Sequence, residues 1–299
     1  MRTKTIYLLF FLSGMVGKLN AQFANPCHCN IGIVYPISTN GIHAKEYSNV
    51  FSLHAVAGVS RNEKGLSLAG FSNIILDSAA GLQIAGFMNI TRKDATGLQM
   101  AGFINKSRDA GSQMAGFINI ARKVKGVQIA GFINIADSSD YPIGIFNFIK
   151  HGEKTIGIST DETLTTLLSF RSGGRKLYGI AGVGYNDKGS RRLAAWEAGI
   201  GMHLYLAENF RLNLELVNAG LTNFKTGDYF RSSIRALPAL RLSHRLEIFA
   251  GPTFSYMRSR KGTGEDLLTH YTWSRRDGDG LQALYFGVTG GIAISLTKK

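Results

Sequence analysis

The chain has 299 residues, 36 of them glycine and only 5 proline, with 44% hydrophobic and 18% charged side chains. That composition favours an all-β chain, long enough for one large β-domain. The formal net charge of +14 is spread along turns and strand faces, where it suits anions or anionic lipid headgroups. No recognisable nucleic-acid motif accompanies it, so nucleic acid is not an expected partner.

Residues 1–21 read as a secretory signal peptide. Arg2 and Lys4 precede an apolar core over 6–16, and Ala21 supplies a small residue at the cut before Gln22. Its removal takes Arg2, Lys4 and Lys18 and leaves a net charge of +11. Beyond it no stretch approaches the ~20 apolar residues of a transmembrane helix. Cys27, His28 and Cys29 resemble half of a metal site. No further cysteine and no histidine cluster completes a zinc set, so neither metal nor cofactor is expected.

Residues 30–37 and 48–59 are predicted strands, with turn chemistry at Asn40-Gly41 between them. Then comes a repeated segment: GLSLAGFSNI at 65–74, GLQIAGFMNI at 81–90, GLQMAGFINK at 97–106, GSQMAGFINI at 111–120 and GVQIAGFINI at 126–135. A degenerate sixth copy, PIGIFNF, spans 142–148. The central glycines (70, 86, 102, 116, 131, 144) are spaced 16, 16, 14, 15 and 13 residues apart. Within a copy the residues alternate with the period of a strand. Leu82, Ile84, Gly86, Met88 and Ile90 share one face, and Gln83, Ala85, Phe87 and Asn89 share the other. Antiparallel pairing of neighbouring copies about the glycine sets Gln against Asn and Ala against Phe, a favourable cross-strand match. A parallel crossover needs a longer connection than the polar links supply. The rival is a β-solenoid with two short strands per copy; the uneven period counts against a regular coil and leaves that rival standing.

After the sixth copy, 154–160 and 163–170 are predicted strands split by Asp161-Glu162, and 171–175 is a predicted turn. The C-terminal half keeps the two-faced pattern without the repeat. Even positions from Ala194 to Leu206 are apolar. Leu212, Leu214 and Leu216 alternate with Arg211, Asn213 and Glu215. Residues 283–296 behave likewise, while Pro238 and Pro252 are faults in two noisier strands at 232–243 and 246–257. Short connections (207–209, 243–245) alternate with long ones (219–231, 259–280), as in outer-membrane barrels. Tyr185, Tyr205, Tyr229 and Tyr256 lie where an interfacial girdle would fall.

These features together predict an all-β, antiparallel, up-and-down transmembrane β-barrel of about 14–16 strands. It forms one domain over 22–299, with 65–148 as one arc and 175–296 as the other. Leu82, Ile84, Met88 and their equivalents would face lipid. The candidate lumen-lining residues are Gln83, Phe87 and Asn89; Gln99, Phe103 and Asn105; Gln113, Phe117 and Asn119; and Gln128, Phe132 and Asn134.

The repeats, and the DETLTTLLSFRSGGRKLYGI segment that follows them, resemble a family of bacterial surface-repeat proteins of Bacteroidetes type, built on a GVQIAGxxN unit. The resemblance spans about 48–186. It implies an exported, envelope-associated β protein and no established activity. The expected location is the outer membrane, with its lipid as partner. The expected role is that of a surface scaffold or porin-like channel. The alternative is a soluble or surface-attached β-repeat module that binds protein or glycan. Enzymatic activity is not expected. Asp161-Glu162 is a candidate carboxylate pair, and His54, His203, His244 and His270 are candidate bases, yet no nucleophile elbow or HExxH accompanies them. The charged segment 258–280, with Tyr271 and Trp273, is the candidate surface for a protein partner.

Overall fold

A computed structural model of the chain describes residues 28–188, 192–224, 229–260, 263–268 and 270–297. The expected signal segment and Cys27 lie outside them. Among the described residues the only helices are two short 3-10 turns, and the strands form two sheets.

The repeats do not form an arc of a barrel. With the strands before them they build a β-solenoid, a 15-stranded sheet whose pairings are parallel except that of Ile37–Ser38 with Cys29–Val34. Each copy breaks at its Gly-Phe pair into two short strands, such as Leu82–Ala85 and Met88–Thr91. Each strand then stacks on its equivalent in the next copy: Gln83 pairs with Gln99 and Asn89 with Asn105, in register and parallel. The long strand Ser48–Ser60 serves as an earlier layer for both stacks, and Cys29–Val34 lies beneath it.

Two physical points overturn the antiparallel expectation. The reach argument assumed one ten-residue strand, whereas the corner folds each copy back on itself. A short link then suffices to climb one layer, about 4.8 Å. The uneven spacing is absorbed outside the Gln-x-Ala and Asn ladders, as register shifts at Ala110–Ser112 and Val124–Val127. The corner itself requires glycine. A Cβ on Gly86 would lie 2.1 Å from the Gly70 carbonyl oxygen, and one on Gly102 would lie 2.2 Å from that of Gly86.

The barrel is therefore smaller than the expected 14–16 strands. It has eight antiparallel strands: Glu153–Asp161, Thr165–Gly173, Leu177–Asn186, Leu193–Tyr205, Phe210–Thr222, Tyr229–Arg241, Leu246–Arg260 and Gly280–Ser295. Pairing of Thr155–Asp161 with Thr289–Ser295 closes it. The two prolines fall together at a gap in one ladder. Pairing between Tyr229–Arg241 and Leu246–Arg260 skips from Arg235–Thr253 to Ala239–Phe249. Within the 258–280 segment, Trp273–Asp277 forms an exposed hairpin with the last strand.

The last solenoid coil docks on the outer wall of the barrel. Asn147 donates its backbone N–H to Ser172 Oγ (3.0 Å) and its side-chain amide to the Ser172 carbonyl (3.1 Å). Lys176 Nζ donates to the Tyr141 hydroxyl at 2.7 Å. The Asn ladder thus ends on barrel backbone instead of on an open edge.

Candidate functional site

Alternation along the barrel strands sends charged residues inward and apolar residues outward. Four carboxylates (Asp161, Glu197, Glu215, Glu247) and four guanidiniums (Arg171, Arg211, Arg231, Arg235) are buried inside. The outward positions carry Ile158, Leu168, Leu216, Ile234, Phe286 and Ile292, each at least half exposed. A soluble protein has the reverse arrangement.

The interior charges form layers from end to end. At the short-turn end Arg211 bridges Glu153 (2.6 Å) and Glu247 (2.9 Å), and His203 Nδ1 meets Asn213 Oδ1 at 2.7 Å. A cavity of about 90 Å3, lined by Glu153, Arg211 and Glu247 with Arg241 and His244, opens there. In the middle, Arg171 Nε donates to Glu215 (2.9 Å), Tyr178 Oη donates to the same carboxylate (3.0 Å), and Arg235 pairs with Glu197 at 3.0 Å. Ser169 donates to Glu197. At the far end Arg231 pairs with Asp161 at 2.5 Å. Beyond it Leu267, Tyr229, Met257, Leu281 and Tyr285 form an apolar cluster, with Leu268 and Tyr271 packed against it. Removing one partner of such a buried pair leaves an uncompensated charge and costs roughly 3–5 kcal/mol. The layers are thus mutually dependent.

The candidate lumen-lining amides lie elsewhere. Gln83, Gln99, Gln113 and Gln128, with Asn89, Asn105, Asn119 and Asn134, are fully buried inside the solenoid. Their inward orientation is as expected; the space they fill is the solenoid core and not a barrel lumen. Phe87, Phe103, Phe117 and Phe132 point outward, 36–40% exposed. They sit on the corner itself, where the chain bends and strand alternation restarts. Together with Phe71 they stack in a row, with ring centroids 4.8–5.2 Å apart.

The carboxylate pair is occupied structurally. Asp161 is held by Arg231 and by the backbone N–H groups of Thr163 and Thr165, and Glu162 accepts from the Val288 N–H. The four histidines are scattered: His54 and His203 lie in two different strands, and His244 and His270 in two separate connections. His54 is buried in the solenoid with neither ring nitrogen hydrogen-bonded, and burial lowers its pKa. Tyr229 belongs to the buried mouth cluster, while Tyr185, Tyr205 and Tyr256 are exposed. The interior charges were visible in the sequence only as alternation, with Arg211 and Glu215 flanking Asn213 on the inner face. Nothing in the sequence shows which arginine meets which carboxylate across the barrel.

The class defined by these features is a closed, charge-filled antiparallel barrel carrying a parallel solenoid. No family model matches the chain, and no curated protein does. Among solved structures, a chain from the de novo design of transmembrane β-barrels aligns with a TM-score of 0.30 and 14% identity. The alignment covers 49% of this chain and 97% of that one.

Proposed function

We propose that the protein is an outer-membrane β-barrel without catalytic activity, and that its barrel is a closed anchor holding the solenoid as a scaffold at the membrane. The observation that carries this reading is the inverted barrel: apolar residues outside, paired charges inside. In hydrocarbon every backbone group must be satisfied internally, and only a closed sheet achieves this with strands. Barrel strands of 9 to 16 residues meet the length a tilted membrane strand needs.

Between scaffold and porin-like channel, the packed interior favours scaffold. An eight-stranded barrel is just wide enough for side chains to fill, and here ion-pair layers and the cluster around Leu267 occupy it. The resemblance of the repeats to bacterial surface-repeat proteins fits this role. A protein partner would meet the exposed hairpin Trp273–Asp277.

The test combines three measurements. Purified protein should migrate faster in detergent gels before boiling than after, stay with membranes through carbonate extraction, and give no steady conductance in a planar bilayer. Release by carbonate into detergent-free solution would overturn the membrane reading. Stable conductance steps would restore the channel.

A further inference from the structure

The solenoid has an unusual exterior. Its core is mainly amide, hydroxyl and alanine, with Ile75, Val124 and Ile149 among the few large apolar residues inside, so most of its large apolar side chains face out. Along one edge runs the phenylalanine row, flanked by Ile84, Met100, Met114 and Ile129, which line a shallow apolar groove. Along the opposite edge run the polar links. From 91 to 125 they hold seven Lys and Arg against Asp94 and Asp109, with ion pairs climbing from coil to coil: Lys93–Asp77, Arg108–Asp94 and Arg122–Asp109. An apolar surface this continuous marks an interaction site.

The docking of the last coil fixes which way each edge points. Gly174, in the turn at the barrel's short-turn end, faces the carbonyl oxygens of Ser139 and Asp140 on the charged edge. Gly179, five residues further along the wall, faces the carbonyls of Gly144 and Ile145. Ile145 occupies the corner that phenylalanine holds in the other copies, since Ile133 pairs with Phe146. The corner edge therefore lies beside the barrel position whose neighbours across the ladder are Ile200, which pairs with Gly179, and then Leu216, which pairs with Ile200. Both belong to the barrel's outer apolar belt. The charged edge stays at the short turn. Five strand residues span about 16 Å along the strand, less when tilted, comparable to half of a ~30 Å hydrocarbon core.

We infer that the solenoid is immersed in one leaflet of the bilayer that holds the barrel, with its phenylalanine edge among the acyl chains and its Lys/Arg ridge at the headgroups. The inference rests on the membrane reading of the barrel. It adds that the repeats are a lipid-contacting element and do not project into water. The occupant is lipid because the edge is continuous with the barrel's own apolar belt, and because the ridge places a net positive charge where phosphate headgroups lie.

The test uses full-length protein lacking its native thiols (Cys27→Ser, Cys29→Ser), reconstituted in vesicles of phosphatidylcholine and phosphatidylglycerol. Single cysteines replace Phe103, Arg92 or Leu216 and carry a nitroxide label. Collision with oxygen reports lipid, and collision with a water-soluble nickel chelate reports water. The labels at 103 and 216 should both favour oxygen several-fold over nickel, and the label at 92 should reverse that preference. Phe117→Cys repeats the measurement one coil on, and heat-modifiable migration confirms folding of each variant. Nickel access at 103 with oxygen access at 216 would leave the barrel in the membrane and overturn the immersed solenoid. Nickel access at 216 would overturn both. Shielding at 103 from both reagents, with dipolar broadening between labels, would show a second copy covering the edge and would equally overturn the inference.

Discussion

An amide is tolerable in a dry core only when its donors and acceptors are matched. The asparagine ladder achieves this by repetition. Asn105 accepts from Asn89 Nδ2 (2.9 Å) and donates to Asn119 Oδ1 (3.0 Å) and to the Met114 carbonyl (2.7 Å). Asn105→Ala removes these bonds in mid-ladder, so we expect a loss of about 1–3 kcal/mol, read as a lowered denaturation midpoint of the solenoid. Glu63 is a less satisfied resident of the same core. Ser52 Oγ and Asn49 Nδ2 donate to its Oε1, at 2.6 and 3.1 Å, but Oε2 has no partner. Burial raises its pKa against the pull of those hydrogen bonds. The sign follows directly. A raised folded pKa means the folded state prefers the protonated acid, so this contribution is fully present below the unfolded value, about 4.3, and is lost as pH rises through the folded value. Glu63→Gln should therefore stabilise the solenoid at neutral pH, and that advantage should shrink towards zero in acid. Equal effects at both pH values in thermal melts would show that the carboxylate charge is not the cause.

Each of the four central coils is one interchangeable layer, because each offers the next the same Gln-x-Ala strand, the same corner and the same Asn strand. Stability in such a stack is close to a sum of layers and nearest-neighbour interfaces. Deleting residues 81–96 joins Ala80 to Gly97 and sets Leu66–Ala69 against Leu98–Ala101, the same residue classes that now pair with Leu82–Ala85. The shortened protein should fold, retain its β circular-dichroism signature and melt modestly lower. Removing only 81–88 should abolish the ladder, because a strand then meets a corner. At this scale the sequence was half legible. Alternation at period two placed the Gln and Asn faces inward and the Leu and Ile face outward. It also located most of the barrel strands, including a break at Asp161-Glu162, which falls at 162–164 in the structure, and the faults at Pro238 and Pro252. It did not show the chain folding back at Gly-Phe, since a strand and two half-strands around a corner share almost the same pattern. The misplaced phenylalanines and the doubled strand count both follow from that one corner. The glycine itself was the available signal, because it needs no Cβ where one backbone passes over another.

At the scale of the whole molecule, a parallel stack and a closed barrel must meet without exposing a strand edge, since an unpaired edge invites association. The open face of the last coil is covered by the wall formed by Thr165–Gly173 and Leu177–Asn186. Close approach there depends on small residues. A Cβ on Gly179 would stand 2.1 Å from the Gly144 carbonyl oxygen, and one on Gly174 would stand 2.2 Å from that of Ser139. On the barrel side Gly179 is an outward position paired with Ser172, so a larger side chain there leaves the barrel's interior untouched. Gly179→Val should therefore separate the two bodies energetically. The barrel should keep its heat-modifiable migration, because its ion-pair layers and closing ladder are intact. The solenoid should lose its seat and the Asn147–Ser172 hydrogen bonds with it, and limited proteolysis should cut the 150–152 connection faster than in the parent protein. Paired loss of barrel migration and solenoid protection in this variant would show that the barrel depends on the solenoid for its own closure. Retention of both would show that the wall can shift to accept the side chain, and that the junction is held mainly by the hydrogen bonds of Asn147 and Lys176.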